Sequence, residues 1–400
     1  MSMKKLIGIT GGALIALFSA QTAASADEIL KVGLSAPMSG SAAAWGLGFE
    51  YAAEQAVEKV NSEGGIKAGG KTYKLELHVY DNKYNAAEGA KTAQTMLNRE
   101  GIKFIVGSIG TAPVRATQAL TERQGVLLFN TGWGKSIKGP DFPLTFTQMN
   151  TPFEILAPFF GYIKEQHPDL KTVAMITPND ATGQEMEPVA IDTWKSLDVE
   201  VISTDRYERG TTEFQSIATK IANSKPDAVD FGASPPADVG SILKELDVLG
   251  WNGIKIVAPG TSAGTLSNMA GAAAEGVYLG ASADFQGDSA SEAQRKLNEG
   301  AVAKLGESLN NITISSYDAV MALKAGIEAA DSIDPKKVAE VLPTIVFESS
   351  YGPAAFGGKD VYGSPQQILI PVMITQIKDG AAVEVGRVAP DELKERLKTN

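Results

Sequence analysis

From Leu30 onward, short apolar, β-branched runs alternate with longer stretches in which apolar residues recur every three or four positions. The first pattern is that of buried strands and the second that of amphipathic helices, so the chain reads as βαβ units with mostly parallel sheets. Strands are predicted at 30–36, 73–80, 103–106 and 126–129, with helices at 44–63, 86–99 and 114–123 between them. In the first helix Phe49, Ala52, Ala53, Ala56, Val57 and Val60 keep the helical spacing, and Gly64-Gly65 ends it. After a Pro-containing stretch at 140–152 a second set follows, with strands at 172–177, 200–204, 228–231 and 255–257 and helices near 183–196, 213–223 and 237–249. A strand at 276–280 and helices near 289–305, 315–330 and 335–342 continue the series. The end changes character: Gly352-Pro353, Gly357-Gly358 and Gly363 punctuate it, and strands at 367–376 and 382–387 read as an antiparallel hairpin. The fold class is therefore α/β, in two lobes of similar architecture.

The N-terminus carries another signal. Lys4 and Lys5 precede an apolar stretch over 6–18, and Ala24-Ser25-Ala26 offers the small-residue pattern at which a secretory leader is cut. That run is shorter than the roughly 20 residues that span a bilayer, so a signal peptide over 1–26, cleaved after Ala26, is expected, with no membrane insertion afterwards. The chain has no cysteine, which excludes disulfides, thiol chemistry and a lipid-modified cysteine behind the leader. A free protein of the periplasm is expected. Its 374 residues exceed what one hydrophobic core serves. Loss of Lys4 and Lys5 takes the formal charge from −11 to −13, a balance that repels nucleic acid and anionic lipid.

Reactive constellations fail on spacing. Gly134-Lys135-Ser136 ends like a phosphate-binding loop, but Phe129 stands where that motif needs a glycine. His78 and His167 are the two histidines and lie too far apart for a short metal motif. There is no Gly-x-Ser-x-Gly elbow, and Glu185 and Glu187 point to different faces of their helix, as solvated surface groups would. No enzyme, metal or cofactor is expected; only a carboxylate pair assembled from distant segments escapes this test. What remains is six polar or glycine-rich turns at strand ends, at 35–48, 107–113, 130–135, 178–183, 232–236 and 259–264. Open α/β sheets bind ligands there. The 108–112 turn precedes a helix and exposes backbone N–H groups suited to a carboxylate, although such turns also serve as plain connections.

Several fragments, in order, resemble a known family: Pro37-Met38-Ser39-Gly40 with Trp45-Gly46, Asn61 with Gly64-Gly65-Ile66, Tyr80-Asp81-Asn82, Thr212–Phe214 ahead of Ala218–Ile221, Pro226-Asp227-Ala228-Val229, Ala274-Glu275-Gly276 and Tyr317-Asp318-Ala319. The chain resembles the leucine/isoleucine/valine-binding, type I periplasmic binding proteins of ABC transporters along essentially its whole mature length. The resemblance implies two Rossmann-like lobes joined by three crossings, lobe 1 at 27–148 plus 281–344 and lobe 2 at 149–280 plus 345–400, closing on a small ligand by a hinge. It implies an inner-membrane permease pair with its ATPases as partners, and a monomer as the default.

For the site, the resemblance implies that Thr111 with Ala112, and Trp133 with Gly134, hold a ligand carboxylate from lobe 1, while Trp45 packs on the ligand. Thr182 and Ser234 stand where amino-acid-binding members present tyrosines, and Gly260 where they place an acid for the ammonium. A buried ammonium without that acid is costly. With Trp45, Trp133 and Phe129 as apolar walls and Arg115 and Arg209 as potential partners of an acid, though each by itself reads as a surface residue, the favoured ligand is a carboxylic acid lacking an α-amino group, with an apolar or aromatic body. The alternatives are a branched-chain amino acid receptor that uses Asp238 or a carbonyl for the ammonium, and a periplasmic sensor docking to a membrane regulator.

Overall fold

The computed structural model describes residues 27–258 and 263–399, so the expected leader at 1–26 lies outside the described residues. Strand β1 (Glu28–Ala36) is buried at every position from Val32 to its end, the signature of a strand covered on both faces. It is followed by β2 (Ile66–Ala68), β3 (Lys71–Asp81), β4 (Phe104–Ser108), β5 (Leu127–Asn130) and β6 (Thr145–Thr147). Next come β7 (Thr172–Pro178), β8 (Glu200–Tyr207), β9 (Ala228–Asp230), β10 (Ile254–Val257) and β11 (Tyr278–Gly280). The chain ends with β12 (Val346–Ser349), β13 (Gly352–Gly357), β14 (Gln367–Leu369), β15 (Val372–Lys378) and β16 (Ala381–Val388). Two sheets result, in the orders β12-β13-β14-β6-β5-β4-β1-β3-β2 and β16-β15-β11-β10-β9-β7-β8. Each has a parallel centre, with antiparallel pairs at its edges.

The chain passes between the sheets three times: after β6, between β11 and β12, and between β14 and β15. The last passage corrects the expected lobe boundary. Residues 367–376 form two strands in different sheets, parted at Ile370-Pro371, because a proline nitrogen cannot donate to a ladder. Strands β12 to β14 belong to the first sheet, and Leu393 of the terminal helix Asp391–Thr399 packs on Ala355 and Leu369 there. Of the stretch 345–400, β15 and β16 alone extend the second sheet. Side chains tie the passages together: Asn150 Nδ2 donates to Ile370 O at 3.3 Å and to Pro371 O at 3.1 Å, and Gln367 Nε2 donates to Met149 O at 2.8 Å.

Each lobe has its own aromatic centre. In the first, Phe129, Phe146, Phe347 and Phe356 meet between strands β5, β6, β12 and β13. In the second, Phe160 and Trp194 stack at 3.8 Å and 13°, clamping helix Pro152–Gln166 on helix Ala181–Ser196. Trp194 Nε1 donates to Asp230 Oδ2 at 3.1 Å.

Two buried carboxyl groups pin these cores. Burial pushes Asp230 up to about 6. Asp318, fully buried on helix Asn311–Ala330, is pushed to about 7 by the same cause, even though it accepts from Ser350 N and Oγ. A pKa raised on folding means that the native state holds the proton more tightly than the unfolded chain, so stability from these groups is lost as pH rises from about 4 towards 7. Asp318→Asn is expected to flatten that decline. Urea unfolding of both proteins at several pH values across this window measures it, and identical slopes would contradict the assignment.

Candidate functional site

The C-terminal ends of the parallel strands of both sheets face each other. Helix Ala43–Ser62 begins one turn after β1, and Trp45 in its first turn is 2% exposed. Gly46 permits this, since a Cβ there would stand 1.9 Å from Pro37 O. The Trp45 ring lies 6.1 Å from that of Tyr84, a residue of the loop after β3 held at φ +55°. Asn82 fixes the loop by donating to Ser35 O and Ile109 O, while its Oδ1 accepts from Tyr84 N.

Thr182 is one point where the lobes touch. Asp180 caps helix Ala181–Ser196, its Oδ1 accepting from Thr182 N and Gly183 N at 3.0 Å each. Thr182 Oγ1 then accepts the Thr111 N–H of the first lobe at 3.2 Å and lies 3.3 Å from the Tyr84 hydroxyl. Thr111 Oγ1 accepts from Trp133 N at 3.3 Å, so the predicted residues Thr111, Trp133 and Thr182 form one chain of contacts. Ala112 follows, half-buried, in the first turn of helix Thr111–Gln124. Trp45 and Trp133 share a continuous apolar cluster with Met186, Ala233 and Ala258 of the second lobe. Gly260 lies outside the described residues.

Glu185 corrects an expectation. It is no solvated surface group: its carboxylate reaches the first lobe, pairing with Arg115 and accepting from Ser136 Oγ at 2.7 Å and Ser136 N at 3.3 Å. Gly134 makes room for it, because a Cβ there would fall 2.0 Å from Glu185 Oε2. Glu187 is also drawn in, bidentate to Arg206. His78 lies between Glu76 and Glu100, and His167 against the Tyr278 hydroxyl. Among the described residues no group of three or more His, Cys, Asp or Glu could hold a metal ion.

Two further residues complete the site: Arg209, which by itself reads as a surface residue in the sequence, and Asp238, the alternative partner for an ammonium. Arg209, on the loop after β8, is not a surface group; its side chain is 15% exposed and its guanidinium carbon sits 4.0 Å from the centre of the Tyr84 ring. Its Nε donates to Asp180 Oδ2 at 2.8 Å. Asp238, 3% exposed, accepts from the Tyr207 hydroxyl at 2.9 Å; burial raises its pKa, while Tyr207, Arg209 and Ser41 counter that rise. Tyr84 lacked a sequence signal beyond its place beside Tyr80-Asp81-Asn82, and Arg209 lies in a loop without the glycine-rich pattern of the other turns.

Buried polar atoms without hydrogen-bond partners include Trp45 Nε1 and Ser108 Oγ from the first lobe, and Thr177 Oγ1 and Arg209 Nη1 from the second. Such atoms are uncommon in folded proteins. All four lie near strand ends, or on the loop and helix start that follow them. Their inventory is one of hydroxyl, indole and guanidinium groups, which suits a ligand rich in acceptors.

Two α/β lobes joined by three passages, with polar loops meeting between them, define a cleft-closing binding protein of the type I periplasmic class. The chain belongs to the periplasmic binding protein family, whose model matches residues 29–381. It is 25% identical over 336 residues to the leucine-, isoleucine-, valine-, threonine- and alanine-binding protein of Pseudomonas aeruginosa, covering 84% of this chain and 87% of that one. A benzoate-bound solute-binding protein from R. palustris superposes with a TM-score of 0.76 at 20% identity, covering 90% of this chain and 97% of that one. The leucine-binding protein of Thermotoga maritima superposes equally well, at 19% identity and with 91% and 99% covered. These superpositions give the fold.

The contacts of Glu185 bridge the lobes, so they favour the closed arrangement. The Arg115 side chain is half exposed, which limits such a pair to about 0.2–1 kcal/mol. With no native cysteine to interfere, one spin label on each lobe can report their separation. Glu185→Ala is expected to shift the distribution towards longer distances, as is high salt; an unchanged distribution would show that the contacts do not hold the lobes.

Proposed function

We propose that the protein is the substrate-binding component of an ABC importer, exported to the periplasm and delivering its ligand to a membrane permease driven by cytoplasmic ATPases. The ligand is an organic carboxylic acid without an α-amino group and with an aromatic body. One observation carries this ligand class: each described acidic side chain at the cleft is already engaged. Asp180 serves a helix cap and Arg209, Glu185 serves Arg115 and Ser136, and Asp238 serves Tyr207 and Ser41. An ammonium brought here would have to share a carboxylate that already serves another group, whereas an acid meets unpartnered donors. Trp45 and Tyr84 supply aromatic faces. Solved structures of the same fold hold benzoate, 3,4-dihydroxybenzoic acid and 4-hydroxybenzoate, which supports the reading.

A branched-chain amino acid receptor is the second reading. It is favoured by the relatives named for leucine, isoleucine and valine, and by Asp238 as a carboxylate within the cleft rim. Binding rather than turnover is proposed in either case, because the family to which the chain belongs is one of periplasmic binding proteins.

A thermal-shift screen of the mature, ligand-stripped protein separates the two readings. A ligand at 100 times its dissociation constant stabilises the native state by about 2.7 kcal/mol, which displaces the midpoint by several degrees. Aromatic acids are expected to shift it and leucine is not. A shift with leucine, isoleucine or valine alone would overturn the acid reading and leave the transport role standing.

A further inference from the structure

The resemblance to amino-acid binders places the ligand carboxylate on the first lobe, at Thr111. In this structure the Thr111 N–H is given to Thr182 and Thr111 Oγ1 receives the Trp133 N–H, which leaves the hydroxyl proton as the one Thr111 donor for a ligand. Arg209 across the cleft offers a charged donor. Its Nε is given to Asp180, its face lies over the Tyr84 ring, and its Nη1 is buried with no hydrogen-bond partner. A guanidinium presents five N–H donors in a rigid planar fork. Leaving one unmade in a buried place forfeits free energy that an acceptor would recover.

We infer that Arg209 of the second lobe receives the ligand's carboxylate, with the ligand body against Tyr84 and Trp45, and that Arg209 thereby sets the preference for an acid over the corresponding amide. This rests on the acid-ligand reading above. The fork matches a carboxylate in a way that a lysine ammonium does not. Asp180 and Tyr84 hold the guanidinium in place from two sides without using Nη1, so the group is oriented before a ligand arrives. Asp238 also faces Arg209, from the helix Pro236–Val248, and it is committed to the Tyr207 hydroxyl. Because two acids already neighbour the guanidinium, the gain from a third carboxylate comes from fork geometry more than from net charge. It is therefore limited to that of a charge-assisted contact, on the order of 10- to 100-fold in affinity.

The test is a calorimetric comparison of the wild type, Arg209→Gln and Arg209→Lys with paired probes, benzoate against benzamide and 4-hydroxybenzoate against 4-hydroxybenzamide. The melting midpoint of each unliganded variant reports folding. The expected result is that Arg209→Gln loses on the order of 10- to 100-fold for the acids and little for the amides, with Arg209→Lys in between. Acids that bind the wild type and lose no more than the amides in Arg209→Gln would overturn the anchor while leaving the acid reading intact. Wild-type protein that ignores all four probes and binds leucine would overturn both. A Thr111→Ala variant adds a second arm: an acid-specific loss there, absent from Arg209→Gln, returns the carboxylate to the first lobe.

Discussion

A guanidinium that is taken out of water calls for partners, and Arg209 is buried where the two lobes meet. Its ion pair with Asp180 belongs to the second lobe and its stacking on Tyr84 to the first. Asp180 in turn fixes the start of helix Ala181–Ser196, which places Thr182 against Thr111 and Glu185 against Ser136. One buried charge thus links the order of a helix terminus to the approach of the lobes.

The strength of that closure is divided unequally. The apolar cluster that runs from Trp45 and Trp133 to Met186 and Ala258 contributes through area removed from water. The polar contacts at the rim are partly exposed and individually weak. They bias closure without locking it, as a protein that must release its cargo requires. On the proposed reading, discrimination between ligands is left to the buried, unpartnered donors, where an unmade bond costs about 1–3 kcal/mol.

Much of this was legible in the residues. The alternation of short apolar runs with helical spacing marked both lobes, and the turns at strand ends were located because open sheets bind ligands there. Trp45, Thr111, Trp133, Gly134 and Thr182 all came together between the lobes, though Gly134 serves Glu185 by leaving it room. Two errors have physical causes. Residues 367–376 look like one strand by composition, yet Pro371 breaks the ladder and sends the chain across to the other sheet. Tyr84 and Arg209 were underrated because they lie on loops after β3 and β8 without a dense glycine signature, and their meeting across the cleft is a tertiary fact that no local pattern encodes. Helix Pro152–Gln166 escaped notice for a related reason, since Pro152 and Pro158 mask its spacing, although proline is tolerated in a first turn.

The central claim is that an acid without an α-amino group sits in the cleft with its carboxylate towards Arg209. A crystal structure of the mature protein grown separately with benzoate and with leucine tests it most directly. The expected result is benzoate against Trp45 and Tyr84, with a carboxylate oxygen at about 2.8 Å from Arg209 Nη1, and no leucine in the cleft. Leucine bound there, with its ammonium on Asp238 and its carboxylate on Thr111, would contradict the claim.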